Sequence, residues 1–155
     1  MTDEVVLRPI GVVEGGRAEP FDDHWGDVRA TIVVDERFEP DALAGLESFS
    51  HLDVVYFFHL VDEASIVTGA RHPRGNQEWP KVGIFAQRAK ARPNRIGVST
   101  CRLLGVDGRR IEVAGLDAVD GTPVLDIKPH MSELGPRQPV VEPGWASELM
   151  SGYWD

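Results

Sequence analysis

The chain has 155 residues, 42% of them hydrophobic, with a formal net charge of −9 and a single cysteine. A domain of this length buries about 68 to 70% of its unfolded surface, enough for a core without disulfide or metal staples, and the lone Cys101 excludes an internal disulfide. The acidic balance argues against a protein that coats nucleic acid generally, because that binding needs many Lys and Arg opposite phosphates. The longest apolar stretch, around Val54 to Leu60, falls far short of the roughly 20 residues that cross a bilayer. The start, MTDEVVLRP, has neither an apolar signal core nor a transit-peptide composition, so a cytoplasmic protein forming one domain over residues 1–155 is expected.

In chain order, Val5 to Val13 is rich in β-formers and ends in a Gly/acid loop, and Val28 to Val34 alternates at strand period, so both predict strands. Asp41 to Phe49 places Leu43, Leu46 and Phe49 at i, i+3 and i+6, the spacing of a short amphipathic helix entered at Pro40. Leu52 to Leu60 is apolar on both faces apart from Asp53 and His59, which predicts a strand central to its sheet. Residues 62–81 lack clean periodicity and carry His72-Pro73 and Trp79-Pro80, so they form a long loop. Ile96 to Val106 and Arg110 to Leu116 flank Asp107-Gly108, a dipeptide suited to a type I′ hairpin turn. The segment from Gly144 to Trp154 holds one short helix, with Tyr153 and Trp154 covering a core edge or a subunit seam. Mostly antiparallel strands with small α additions predict a compact antiparallel β-barrel-like fold. The absence of G-x-G-x-x-G after a strand argues against a Rossmann sheet.

Charge is unevenly placed. From Arg71 to Arg110 there are ten Lys or Arg against two acids, Glu78 and Asp107. This island is either a solvated counterweight to an acidic surface or a wall facing an anion.

Within it, Gly83 to Gly97 (GIFAQRAKARPNRIG) leads a short apolar strand into a cationic loop with a Pro-Asn turn. Arg88 or Arg92 can fork onto a carboxylate or phosphate, and Asn94 can cap the turn or read a base edge. The alternative is that these side chains simply face solvent. Further on, Leu116 to His130 (LDAVDGTPVLDIKPH) combines a tight Asp-Gly-Thr-Pro turn with Asp126 and Lys128 on one side of an extended segment. The two charges form a structural ion pair, or Asp126 orients a hydroxyl or accepts a proton while Lys128 faces an anion. The five histidines show no zinc-type short spacing, and no G-x-S-x-G elbow is present, so neither a metal centre nor a Ser-His-Asp hydrolase is favoured.

These two segments resemble the paired signature of the TsaA-like (TrmO) family, G-[IV]-F-A-x-R…R-P-N-x-I-G-x-S followed by L-D-x-x-D-G-T-P-V-x-D-I-K-P. Leu46 to Leu52, the strand ending Phe57-Phe58-His59, and Arg71 to Asn76 are similar to further family segments, so nearly the whole chain is covered. The resemblance implies a non-Rossmann β-barrel methyltransferase that works as a homodimer, with S-adenosylmethionine near the subunit interface. It also implies N6-methylation of threonylcarbamoyladenosine in tRNA. By position, His59, Arg88, Val98, Asp120, Gly121, Thr122 and Pro123 would border the cofactor. Arg92 and Asn94 would face the substrate, while Asp126 and Lys128 would be the catalytic pair, with Asp126 as the base if one is used.

The chain departs from the family pattern at several points. The family's early P-R-Q loop is replaced by Asp22-Asp23-His24-Trp25-Gly26, its T-R-S by Gln87-Arg88-Ala89, and its K-P-Y by Lys128-Pro129-His130. A small-molecule acceptor, or a non-catalytic S-adenosylmethionine-binding sensor, therefore stays open beside the tRNA reading.

Overall fold

The computed structural model describes residues 3–155 and centres on a closed, six-stranded antiparallel barrel. Its strands are β1 (Gly11–Gly15), β2 (Arg29–Val34), β3 (His51–Phe57), β6 (Ile96–Asp107), β7 (Arg110–Ala114) and β8 (Pro123–Pro129). They close in the order β1-β2-β7-β6-β3-β8. Two short strands, β4 (Ala70–Arg71) and β5 (Val82–Gly83), pair with each other in the long loop, and one α-helix, α1 (Gly144–Met150), follows the barrel.

Period-two alternation builds the interior. Ala30, Ile32 and Val34 of β2 point inward with Leu52, Val54 and Tyr56 of β3, Ile111 and Val113 of β7, and Val124 of β8, while Cys101 fills the β6 side. Each fully buried Val, Leu or Ile contributes about 1.5–3 kcal/mol of transfer free energy, set against the entropy of ordering the chain. Leu116 and Ala118 cap the core just after β7.

Several boundaries differ from the sequence reading, each for a local reason. The first strand starts at Gly11, and Val5, Val6 and Leu7 lie exposed before it, so β propensity there finds no partner strand. The segment predicted as one helix over Asp41–Phe49 is two 3₁₀ turns, Pro40–Leu43 and Leu46–Ser48, broken at Gly45 with φ 89°. Strand β3 ends at Phe57 and alternates buried and part-exposed residues rather than burying both faces. The tight hairpin sits where expected, but Asp107 pairs with Arg110, so Gly108-Arg109 is its two-residue loop. Gly108 alone takes a positive φ, 59°, which is the sign pattern of a type II′ turn.

Two irregularities shape the barrel. Strand β6 bulges against β7 between Leu103 and Gly105, and the β3–β8 ladder shifts between Val55 and Tyr56, which face Asp126 and Val124. The extra residue, Leu125, keeps Val124 inside while turning Asp126 and Lys128 outward.

Candidate active site

One end of the barrel gathers segments distant in sequence. Phe58, just beyond β3, donates its N–H to Arg95 O at 2.8 Å. Gly97 is pressed against the Tyr56 and Phe58 rings, and a Cβ there would lie 2.7 Å from Tyr56 and 2.8 Å from Phe58. Asn94 and Arg95 form the turn into β6 with φ of 65° and 49°, a left-handed pair uncommon outside glycine. Arg95 is held there from three sides: its guanidinium donates to Val61 O at 2.7 Å, pairs with Glu63 at 3.5 Å, and stacks 4.5 Å from the Phe57 ring centre.

The Asp120–Pro123 turn is tied to β1. Asp120 accepts from Gly15 N at 2.9 Å, Gly121 N donates to Val13 O at 2.7 Å, and Thr122, 2% exposed, donates its hydroxyl to Val119 O at 2.7 Å. Gly121 has φ 84°, and a Cβ on it would stand 3.6 Å from His59 Nε2. The glycine therefore leaves a gap between the turn and the imidazole. Arg88 arrives from the cationic loop and donates to Val98 O at 2.9 Å, beside a Val98 side chain that is 48% exposed. Of the residues singled out from the sequence, the structure thus brings His59 to Gly121 and Arg88 to Val98.

The other predicted residues sit differently. Arg92 is turned into its own loop, donating to Gln87 O at 2.6 Å, and Asn94 is exposed at the turn. Asp126 and Lys128 lie on the outer barrel face and pair at 3.0 Å, and Asp126 also accepts from Ile127 N at 2.9 Å. Asp126 also borders an apolar cleft of about 490 Å³ lined by Ile10, Phe38, Leu43, Leu46 and Phe49. That cleft lies between the barrel and the 3₁₀ turns, away from His59 and Arg88, so its size is no guide to the chemistry.

The basic island is largely spent on internal partners. Arg74 pairs with Asp23 at 3.1 Å, Lys90 reaches Asp22 at 4.0 Å, and Arg110 pairs with Glu14 at 3.3 Å. Arg71 differs: its Nε is buried without a hydrogen-bond partner among the described residues. An orphaned buried donor of this kind is rare.

Sequence reasoning missed Asp117. Its carboxylate takes the Tyr56 hydroxyl at 3.0 Å on one oxygen and the Tyr153 hydroxyl on the other. Burial first, then the Asp117 charge, pushes both phenols well above the ordinary tyrosine range, while Arg88 acts the other way on Tyr56, and Arg74 and then Arg88 on Tyr153. Tyr153 and Trp154 do cover an edge. Their backbone carbonyls accept from Trp25 N at 2.8 Å and Gly26 N at 3.1 Å, so the loop standing in place of P-R-Q is stitched to the end of the fold.

Residues 20–135 match the model of the tRNA-methyltransferase O N-terminal domain. The chain belongs to the TrmO family. A relative in Pyrococcus abyssi, named a "probable S-adenosyl-L-methionine-binding protein", is 36% identical over 91% of this chain and 76% of its own. The human tRNA (adenine(37)-N6)-methyltransferase is 41% identical over 66% of this chain but only 23% of its own. A crystal structure of TrmO from P. aeruginosa superposes with a TM-score of 0.75 at 29% identity, covering 94% of this chain and 63% of that one. The barrel of this TrmO-family chain is therefore shared, while those two longer relatives extend well beyond it.

Proposed function

We propose that this protein is an S-adenosylmethionine-dependent methyltransferase acting on N6 of an adenine in tRNA, threonylcarbamoyladenosine being the acceptor that the family resemblance implies. The observation that carries the reading is the approach of Gly121, in the Asp120–Pro123 turn, to His59 Nε2, supported by the hydrogen bond of Arg88 to Val98 O. S-adenosylmethionine supplies an electrophilic methyl already activated on sulfur. The residues present suit such a ligand: the His59 imidazole offers a polar partner, exposed Val98 offers an apolar surface for a base, and the exposed Arg88 guanidinium offers donors for a carboxylate. Asp126 and Lys128 present a paired charge on the adjoining outer face, near the acceptor. Positioning alone can account for roughly 7–11 kcal/mol of barrier reduction, so the rigid ties of the turn to β1 serve the reaction directly.

The protein acts in the cytoplasm as a homodimer, with the donor near the subunit seam, on this reading. No helix among the described residues is long and apolar enough to cross a membrane. A second reading, transfer to a small acceptor, is favoured by one observation: Arg74, Lys90 and Arg95 are paired with acids of the same chain, which leaves fewer cations for phosphates.

The deciding experiment is calorimetric titration with S-adenosylmethionine, followed by labelled methyl transfer to tRNA lacking the modification. Binding with transfer is expected. Binding without transfer favours the small acceptor, and no binding overturns the methyltransferase reading.

A further inference from the structure

Two apolar features of the outer surface lack a partner. The first is Phe85, 76% exposed in the middle of the 3₁₀ turn Ile84–Ala86. A fixed turn holds the ring out: Ile84 beside it is buried, and buried Gln87 donates its Nε2 to Arg71 O and Val82 O, both at 3.0 Å. From Lys81 to Lys90 this segment carries Lys81, Arg88 and Lys90 and no acid. The second feature is the cleft of about 490 Å³ between β8 and the 3₁₀ turns, with apolar walls from Phe38, Leu43, Leu46, Phe49 and Ile127. Its surroundings have the opposite charge. Asp35, Glu36, Glu39, Asp41 and Glu47 are all exposed, and none forms an ion pair among the described residues. The cations beside them, Arg37 and Arg109, are turned to the backbone, donating to Pro9 O at 2.9 Å and Phe38 O at 2.7 Å.

Strand register sets the two features on either side of β3. Val98, Val55 and Asp126 stand in one outward cross-strand row over β6, β3 and β8, so Val98 and Asp126 are roughly 10 Å apart. Arg88 ties the cationic loop to Val98 O on the β6 side, and Asp126 borders the cleft on the β8 side. The next row, Thr100, Asp53 and Lys128, is polar, with Asp53 Oδ1 3.0 Å from His130 Nδ1. Val55 and Val98 therefore form an apolar centre, with the Phe85 loop on one flank and the cleft on the other. A two-fold axis through β3, normal to this face, exchanges the flanks, as a self-complementary pairing requires.

We propose that a second copy of this chain docks on this face, Phe85 of each subunit entering the other's cleft while each cationic loop meets the other's acidic rim. The inference deepens the homodimer of the reading above, on which it rests, by naming its face. A buried aromatic ring accounts for about 150–250 Å², so two rings and the clefts that receive them bury roughly 600–1,000 Å²; Val55, Val98 and the charged rims carry the total into the roughly 1,200–2,000 Å² range of stable pairs. Opposite charge on the loop and the cleft rim decides which flank meets which, because loop against loop or rim against rim would set like charges together. The Asp126–Lys128 pair at the cleft rim then faces the Arg88 loop of the other subunit.

Sedimentation of the full chain tests the pairing. Wild type is expected to be a dimer at micromolar concentration, weakened by added salt. Phe85→Glu, at an exposed position, is expected to raise the dimer dissociation constant roughly 30-fold or more. Ala44 lines the cleft and is exposed, so an oxidised mixture of Phe85→Cys and Ala44→Cys chains is expected to link into disulfide heterodimers faster than either chain links with itself. A wild-type dimer matched by an equally tight Phe85→Glu dimer, or a mixture that forms no heterodimer, overturns this face and leaves the homodimer standing. A monomeric wild type overturns both, while calorimetric titration of the same protein with S-adenosylmethionine decides the methyltransferase reading separately.

Discussion

Tyr153 donates its hydroxyl to the Asp117 carboxylate, whose other oxygen takes the hydroxyl of Tyr56 from inside the barrel. A single acid thus joins the core of β3 to the segment that follows α1. A hydrogen bond to a charged partner contributes about 1.5–3 kcal/mol, and Tyr153 is only partly buried, so Tyr153→Phe is expected to destabilise by about 1.5 kcal/mol. Asp117→Ala, which takes the carboxylate from both hydroxyls and leaves Tyr56 only the backbone carbonyl of residue 117 at 3.2 Å, should cost about 3 kcal/mol. Urea unfolding of the two variants checks both values and their order.

The same groups set the alkaline limit. Tyr56 and Tyr153 hold their protons above the ordinary tyrosine range, and Cys101 is pushed up to about 12, by burial first and then by Asp117 and Asp53. Each of these groups keeps its proton in the folded state where the unfolded chain has released it. The stability they contribute is therefore whole below the ordinary thiol and phenol values, and it falls as pH rises through and beyond them. The fall should approach about 1.4 kcal/mol per pH unit for each group. Stability measured from pH 8 to 11 is expected to drop monotonically, and less steeply in Tyr153→Phe. A flat profile would remove the basis for these shifts.

Gly121→Ala separates folding from binding. The alanine must hold φ 84° and place its methyl 3.6 Å from His59 Nε2, so a strain of about 1–2 kcal/mol is expected. Filling the gap should weaken S-adenosylmethionine binding at least tenfold, read by calorimetry on the folded fraction.

Gly97→Ala acts on the opposite wall. Its methyl would meet the Tyr56 and Phe58 rings at 2.7 and 2.8 Å, both inside the fold, so a loss of about 1–3 kcal/mol is expected from overpacking. Thermal unfolding checks it.

Arg88→Met removes the donor to Val98 O, at an exposed position where the bond itself contributes little to stability. Stability within about 1 kcal/mol of wild type, together with donor affinity reduced tenfold or more, is the expected outcome. The reverse pattern would make Arg88 a structural clamp.

How far the sequence reaches can be judged from particular residues. Period-two alternation exposed the inward rows of β2 and β7 and the turn at Gly108, because both depend on neighbours only. The residues proposed to hold the donor were singled out through a motif resemblance rather than through periodicity, which could not show that His59 meets Gly121. The Asp53–His130 pair was out of reach for another reason. The partners are 77 residues apart, and only barrel closure, with the extra residue at Leu125, sets their register. The stitching of Trp25 and Gly26 to Tyr153 and Trp154 is made by backbone groups, which leave no side-chain pattern to read. At Asp41–Phe49 the apolar spacing was right and the helix wrong, because Gly45 broke it into two turns.

Barrel closure also decides where the molecule breathes. The β3–β6 ladder runs without a shift from His51 opposite Arg102 to Phe57 opposite Ile96, whereas β1 meets β8 only at Gly11–Val124 and Val12–Pro123, and Pro123 has no N–H to give. Amides along that short seam are the ones expected to exchange with solvent first when the fold opens locally. Because the Asp120–Pro123 turn hangs on the same seam, a ligand seated there would act as its latch, and amide exchange at Val13 and Gly121 would slow on binding before any other strand responds.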